Sequence, residues 1–145
     1  MRWARFYTQA GRDVFEVVRF RAVSDDAGFE YIVPAHWCQE AVNILRESVF
    51  YTEALPALTK SKEEPGVPDW LRHSEIDDAG LDSISAEWRY RTERDFRDVL
   101  HRMAGALTAE GWKNGLFSSE EEARVFYDEF RYILLHQIAS PELAQ

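Results

Sequence analysis

Apolar positions along the chain change rhythm twice. From residue 13 to 23, Asp-Val-Phe-Glu-Val-Val-Arg-Phe-Arg-Ala-Val is dense in β-branched and aromatic residues. Ser24-Asp25-Asp26-Ala27-Gly28 then supplies turn chemistry, and Phe29-Glu30-Tyr31-Ile32-Val33 follows. Two such runs about a turn predict a β-hairpin or short strand pair, which is marginal alone in water and has to lean on helices. Past Pro34 the period lengthens. Trp37, Ala41, Ile44, Leu45 and Ser48, with Val49 alongside, predict an amphipathic helix over about 35–50, with Pro34 at or just before its first turn.

The second half is more regular. Thr92-Glu93-Arg94-Asp95 resembles a capping box with Asp in the last place, and Phe96, Val99, Leu100, Met103, Ala104 and Leu107 then mark one helical face, to be ended by Gly111 or Gly115. Ser118-Ser119-Glu120-Glu121-Glu122 predicts a second helix start, with Ser119 as cap and the acids at the positive end of the helix dipole. Ala123, Phe126, Phe130, Ile133, Leu134 and Ile138 give its stripe, and Pro141 its end. Residues 52–91 lack a period and hold Pro56, Pro65, Pro68, Gly66 and Gly80. Short helical turns are predicted at 68–71 and 75–81, with Trp70, Leu71, Ile76, Leu81, Ile84 and Trp88 as apolar anchors, because a structureless loop of that length is unusual in a compact domain. The predicted fold is mainly α, one domain over 1–145. A strand-containing arm (1–33) with an N-terminal β-hairpin or short strand pair leads to a helix (35–50). A long wrapping connection (52–91) then leads to a central αα-hairpin (92–141).

Composition supports a packed domain: 46% hydrophobic and 14% aromatic residues exclude a disordered polar chain. The formal charge of −9 makes nucleic acid a poor partner, since that binding depends on Lys and Arg neutralising phosphates. Residues 1–21 run against this trend, with Arg2, Arg5, Arg12, Arg19 and Arg21 against Asp13 and Glu16. Such a segment either pairs with its own acidic body or steers an anionic ligand. The start of the chain has no apolar signal core and no stretch is long enough to cross a membrane, so no membrane partner and a cytoplasmic location are expected.

Candidate chemistry is sparse. The four histidines, His36, His73, His101 and His136, fall in four segments and form no metal-ligand spacing. Cys38 allows neither an internal disulfide nor a cysteine zinc cage, and beside Trp37 it reads as a packed small apolar residue more readily than as a nucleophile. The glycines are isolated, with no phosphate loop. Tyr127, Tyr132 and Trp112 could line a stacking surface, although aromatic stripes on helices usually face the core. No catalytic, cofactor-binding or metal-ligating residue is assigned.

Several collinear stretches resemble one family. Pro34-Ala35-His36-Trp37-Cys38-Gln39-Glu40-Ala41-Val42-Asn43-Ile44-Leu45 is similar to the "WSQNAVNIL"-type segment of adenosylcobalamin-dependent (class II) ribonucleotide reductases. Residues 63–71, Glu-Glu-Pro-Gly-Val-Pro-Asp-Trp-Leu, resemble a linker of a bacterial branch of that family. Residues 98–105 resemble its "VFHRLAG" helix, Gly111-Trp112-Lys113-Asn114-Gly115-Leu116-Phe117 its "GWKNGYF", and residues 123–129 and 134–139 the helix after it. The likeness runs over about residues 13–141 and corresponds to the helical region that precedes the family's ten-stranded catalytic barrel. It implies that adenosylcobalamin belongs to the barrel and that no cofactor is held in this chain. It also implies that Cys38, at a position commonly Ser, is not a redox cysteine, and that Leu143 stands where a substrate-proximal serine is expected. The chain stops about where the barrel would begin. The implied role is a structural or docking module, inactive alone, whose partner is a reductase catalytic barrel polypeptide or a second copy. Tyr132, Leu135, Trp112 and Phe117 are the candidate partner-docking residues. The competing expectation is a stand-alone binding or regulatory protein derived from that domain, nucleotide-responsive through its basic first segment.

Overall fold

The computed structural model describes residues 3–25, 27–50 and 55–137, and the chain there is mainly helical with small antiparallel strand pairs. Strands β1 (Phe20–Ser24) and β2 (Glu30–Pro34) pair in the register Phe20 with Pro34 through Ser24 with Glu30. Asp25 shapes their turn, its Oδ1 accepting from the N–H groups of Ala27 and Phe29, each at 2.9 Å. The pair starts at Phe20 rather than near Asp13. Residues before it coil into turns, with Glu16 N–H bonded to the Asp13 carbonyl, Val18 N–H to the Phe15 carbonyl, and Phe15 N–H to the Asp13 carboxylate. Local hydrogen bonds from Asp13 therefore override the β-forming composition of 14–18. Pro34 is the last rung of β2 and not a helix start. A residue without an N–H is tolerated at a strand end, and its carbonyl accepts from Trp37.

Helix α1 (Gln39–Ile44) follows, and continues as a π-helical turn over Leu45–Val49. Phe50 N–H reaches the Leu45 carbonyl at 3.1 Å. Widening the turn brings residues five apart towards one face, so Leu45 and Phe50 are both buried. The predicted helix over 35–50 is thus shorter at its start and altered at its end.

Two long helices, α3 (Phe96–Lys113) and α4 (Glu120–Leu135), pack on each other. α3 begins a turn later than Thr92 suggests, because Asp95 itself caps, accepting from Arg97 N–H at 2.9 Å. Gly115, not Gly111, ends it, with φ 71°. Ser119 caps α4 as predicted by accepting from Glu122 N–H, while the Glu122 carboxylate reaches back to Ser118. The C-terminal turn of α4 ends at Leu135, with His136 as cap. Ile138, Pro141 and the rest of the expected helix end lie outside the described residues.

The main core joins Val33 of β2, Val42 and Leu45, Phe50, Phe96, Val99 and Leu100 of α3, and Leu134 and Leu135 of α4. A second, smaller cluster holds Val67, Leu71, Ala109 and Ala123. The buried line of α3 turns between them, so Leu107 is 46% exposed and Thr108 is fully buried, its hydroxyl satisfied by the Ala104 carbonyl at 2.6 Å. α4 differs from its predicted stripe more: Tyr127, Asp128 and Arg131 are buried, while Phe126, Phe130 and Ile133 are only partly covered. The reason is the N-terminal segment, which lies along α4 and binds it through polar groups.

The connection forms two short ladders, β3 (Leu55–Pro56) with β6 (Tyr90–Arg91) and β4 (Thr59–Ser61) with β5 (Ser74–Ile76). Single 3-10 turns at Asp69–Leu71 and Ala86–Trp88 and helix α2 (Asp78–Asp82) complete it. Leu71 and Leu81 are buried anchors, but Ile76 (47% exposed) and Trp88 (70% exposed) are not. Residues 51–54 lie outside the described residues.

Candidate docking site

Below Trp37 the packing of α1 on the long helices is incomplete. A cavity of about 370 Å³ opens between Ala41, Ile44 and Val49 on one side and Phe96, Leu100 and Met103 of α3 on the other. Leu45 and Leu134 form its floor, and Gln137 lines it as well. Trp37 fixes one end: its Nε1–H donates to the Leu135 carbonyl at 2.9 Å, and its ring meets Phe96 edge-on with centroids 4.7 Å apart. The other end is held by Arg102, which donates to the Val49 carbonyl at 3.1 Å and pairs with the buried Glu93 at 2.9 Å. Both walls are therefore positioned by bonds to backbone at helix ends, where carbonyls otherwise lack partners. Ile44 stands at the rim, 57% exposed. Apart from the Gln137 amide the lining is apolar, so the groove offers surface to an apolar side chain and little to a reacting group.

The four residues predicted to dock lie elsewhere. Leu135 is fully buried in the main core, which corrects its reading as an open contact: the turn of α4 that carries it faces Trp37 and β2. Trp112 and Phe117 are partly buried against the second core cluster, and the Trp112 Nε1–H donates to the Gly66 carbonyl at 2.8 Å. Tyr132 is partly buried, stacked on Tyr7 at 4.7 Å and packed against His136 at 4.1 Å. These side chains hold the connection and the N-terminal segment to the helices. The groove residues Ile44, Val49 and Met103 were missed. In the sequence they belong to apolar helix faces, and that periodicity does not separate a residue packed in the core from one lining a groove.

The titratable groups with shifted values are not among the residues that line the groove. His101 Nδ1 hydrogen-bonds the buried Tyr127 hydroxyl. Desolvation, then the charges of Arg131 and Arg124, hold His101 below the ordinary histidine value, and desolvation raises the Tyr127 phenol. His36 and His136 stack at 5.5 Å, and desolvation followed by His36 lowers His136. Glu64 accepts from His73 N–H at 2.7 Å and pairs with Lys113 at 3.0 Å, which brings its carboxyl down to about 2. Among the described residues no three His, Cys, Asp or Glu side chains form a metal-holding group. Cys38 is exposed at the start of α1, a correction to its reading as a packed residue.

Comparison with known proteins adds an independent line. A family profile described as class II vitamin B12-dependent ribonucleotide reductase matches residues 22–137. The vitamin B12-dependent ribonucleotide reductase of Bradyrhizobium diazoefficiens is 37% identical over 113 residues, covering 78% of this chain and 9% of that protein. The enzyme of the same description from Agrobacterium fabrum is 35% identical over 155 aligned positions, covering 100% of this chain and 12% of that protein. The chain thus spans about a tenth of the length of these relatives.

Proposed function

The chain belongs to the class II vitamin B12-dependent ribonucleotide reductase family, resembling its N-terminal domain, and from that premise we propose that it is a docking module for the family's catalytic polypeptide. In this reading the long helices form a hairpin with the connection wrapped over it, and the groove receives an apolar segment of the catalytic portion. The observation that carries the proposal is the groove itself: an apolar cleft of about 370 Å³ with Ile44 57% exposed at its rim. The relatives' length supports this choice of occupant. About nine-tenths of their length lies outside the matched stretch, and the profile match runs to residue 137, at the groove's edge. Adenosylcobalamin and the reaction belong, on this account, to that larger portion, and the module contributes shape and position alone.

The test mixes the chain with an Agrobacterium fabrum reductase from which the matched stretch has been removed, and follows sedimentation velocity. A co-sedimenting complex at micromolar concentration is the expected result. Independent sedimentation at tens of micromolar contradicts the proposal. Self-association of the chain without binding would transfer the groove to a second copy.

A further inference from the structure

We infer that the chain carries a binding site for a phosphate-type oxyanion between its N-terminal segment and α4. A cavity of about 270 Å³ opens there, with Arg5 and Arg12 on one wall and Arg124 and Arg131 on the other. Asp13, Glu16 and Asp128 share the lining, so four guanidiniums against three carboxylates leave one positive charge in a chain whose formal total is −9. Asp128 is buried and already committed, to Arg5 at 2.9 Å and Arg131 at 3.0 Å, with Arg124 at 3.6 Å. Asp13 comes no nearer than 4.0 Å to Arg131, and it and Glu16 each leave 52% of their side chains in solvent.

Donors therefore exceed acceptors at this spot, since every guanidinium carries five N–H groups. The deepest of them shows the deficit. Arg131 is 5% exposed, and its Nε is buried with no hydrogen-bond partner. Gly11 also lines the cavity, in the left-handed region at φ 74°. Guanidiniums arriving from two separate segments suit a tetrahedral anion, which presents oxygens in several directions, better than a planar carboxylate. The site also straddles the family match: Arg124 and Arg131 fall within residues 22–137, while Arg5 and Arg12 precede it. The ligand chemistry is the phosphoryl oxyanion, whether free or carried by a nucleotide.

The test titrates the full 145-residue chain with inorganic phosphate, pyrophosphate and adenosine triphosphate at constant ionic strength, with glutamate as a carboxylate control, reading Tm and calorimetric heat. The expected result is a saturable rise in Tm with pyrophosphate or the triphosphate, at millimolar Kd or tighter. Arg12→Gln and Arg124→Gln should each weaken it at least about tenfold, and Arg94→Gln, outside the cavity, should leave it unchanged. Equal affinity for pyrophosphate and triphosphate supports a site for the phosphoryl group alone, and tighter triphosphate binding supports a nucleotide source. No saturable response beyond that of salt, an equal response to glutamate, or indifference to both arginine substitutions overturns the inference. Arg124 also lies over the Trp70 ring at 5.0 Å, so far-UV circular dichroism checks its variant. The exposed Arg12, paired with Glu16 at 3.1 Å, keeps the test decisive if that variant fails to fold.

Discussion

Asp128 shows how a single residue can hold two segments together. It is 5% exposed and accepts from Arg5, of the N-terminal segment, and from Arg131, one turn along α4. Removing one partner of a buried ion pair leaves uncompensated charge, so Asp128→Ala should destabilise the fold by about 3–5 kcal/mol, read by urea denaturation. A loss below about 1 kcal/mol would mean that solvent already screens the pair. The titratable groups make a second residue-scale prediction. His101 and His136 both have folded values below the ordinary histidine value of 6.5, so the unfolded chain binds protons more readily. Their contribution is fully present above 6.5 and is lost as pH falls through that value towards the folded ones. Glu64, lowered from 4.5 to about 2 by the His73 backbone N–H and then Lys113, adds a contribution present above 4.5 and lost between there and 2. Tm should therefore fall in two stages on acidification. The His101→Gln/His136→Gln double variant should flatten the upper stage and Glu64→Gln the lower. A single stage unaffected by either change would contradict these assignments.

At the scale of elements, Ser119 and the connection make the clearest predictions. Ser119→Ala removes the α4 cap and should cost about 1 kcal/mol, measured as a lowered Tm. Glu64 holds His73 and Lys113 at once, so Glu64→Ala should speed protease cleavage within 59–76 while α3 and α4 stay intact on the same gel. An unchanged cleavage rate would assign that hold to Trp70 and Trp112 instead. These elements also show what the sequence made legible. α3 and α4 were readable because each repeats its apolar face over several turns and begins at a residue able to cap. The strand pair was readable from its composition and turn, but not its start, because one Asp13 carboxylate turns 13–18 away from extension. The ladders of the connection were not readable. Their strands are two or three residues long, shorter than any alternation that marks a strand, and depend on partners up to 36 positions away, as with Leu55 and Arg91. The rotation of α3 that exposes Leu107 and buries Thr108 follows from having two cores to cover, a tertiary demand that no single helical face expresses. The exposure of two candidate docking residues was not readable for a related reason. Leu135 and Tyr132 were placed on an open face of α4 that Trp37 and Tyr7 occupy.

The whole molecule is an acidic chain of 145 residues that spans 9% and 12% of its relatives' lengths. Trp70 and Trp112 are held internally, their Nε1–H groups donating to Glu120 and to the Gly66 carbonyl. The groove beside α1 is lined by apolar side chains, and its rim residue Ile44 has more than half its surface exposed. Completing the burial of such a side chain is worth about 1–2 kcal/mol, and a carboxylate in its place would add a desolvation penalty. The decisive measurement is an isothermal titration of the truncated Agrobacterium fabrum reductase with wild-type chain and with Ile44→Asp, whose folding is verified by circular dichroism. Docking through the groove predicts a complex with the wild type and at least about tenfold weaker affinity for the variant, a difference of about 1.4 kcal/mol. Equal affinity of the two chains, or no heat of binding from either, would contradict it.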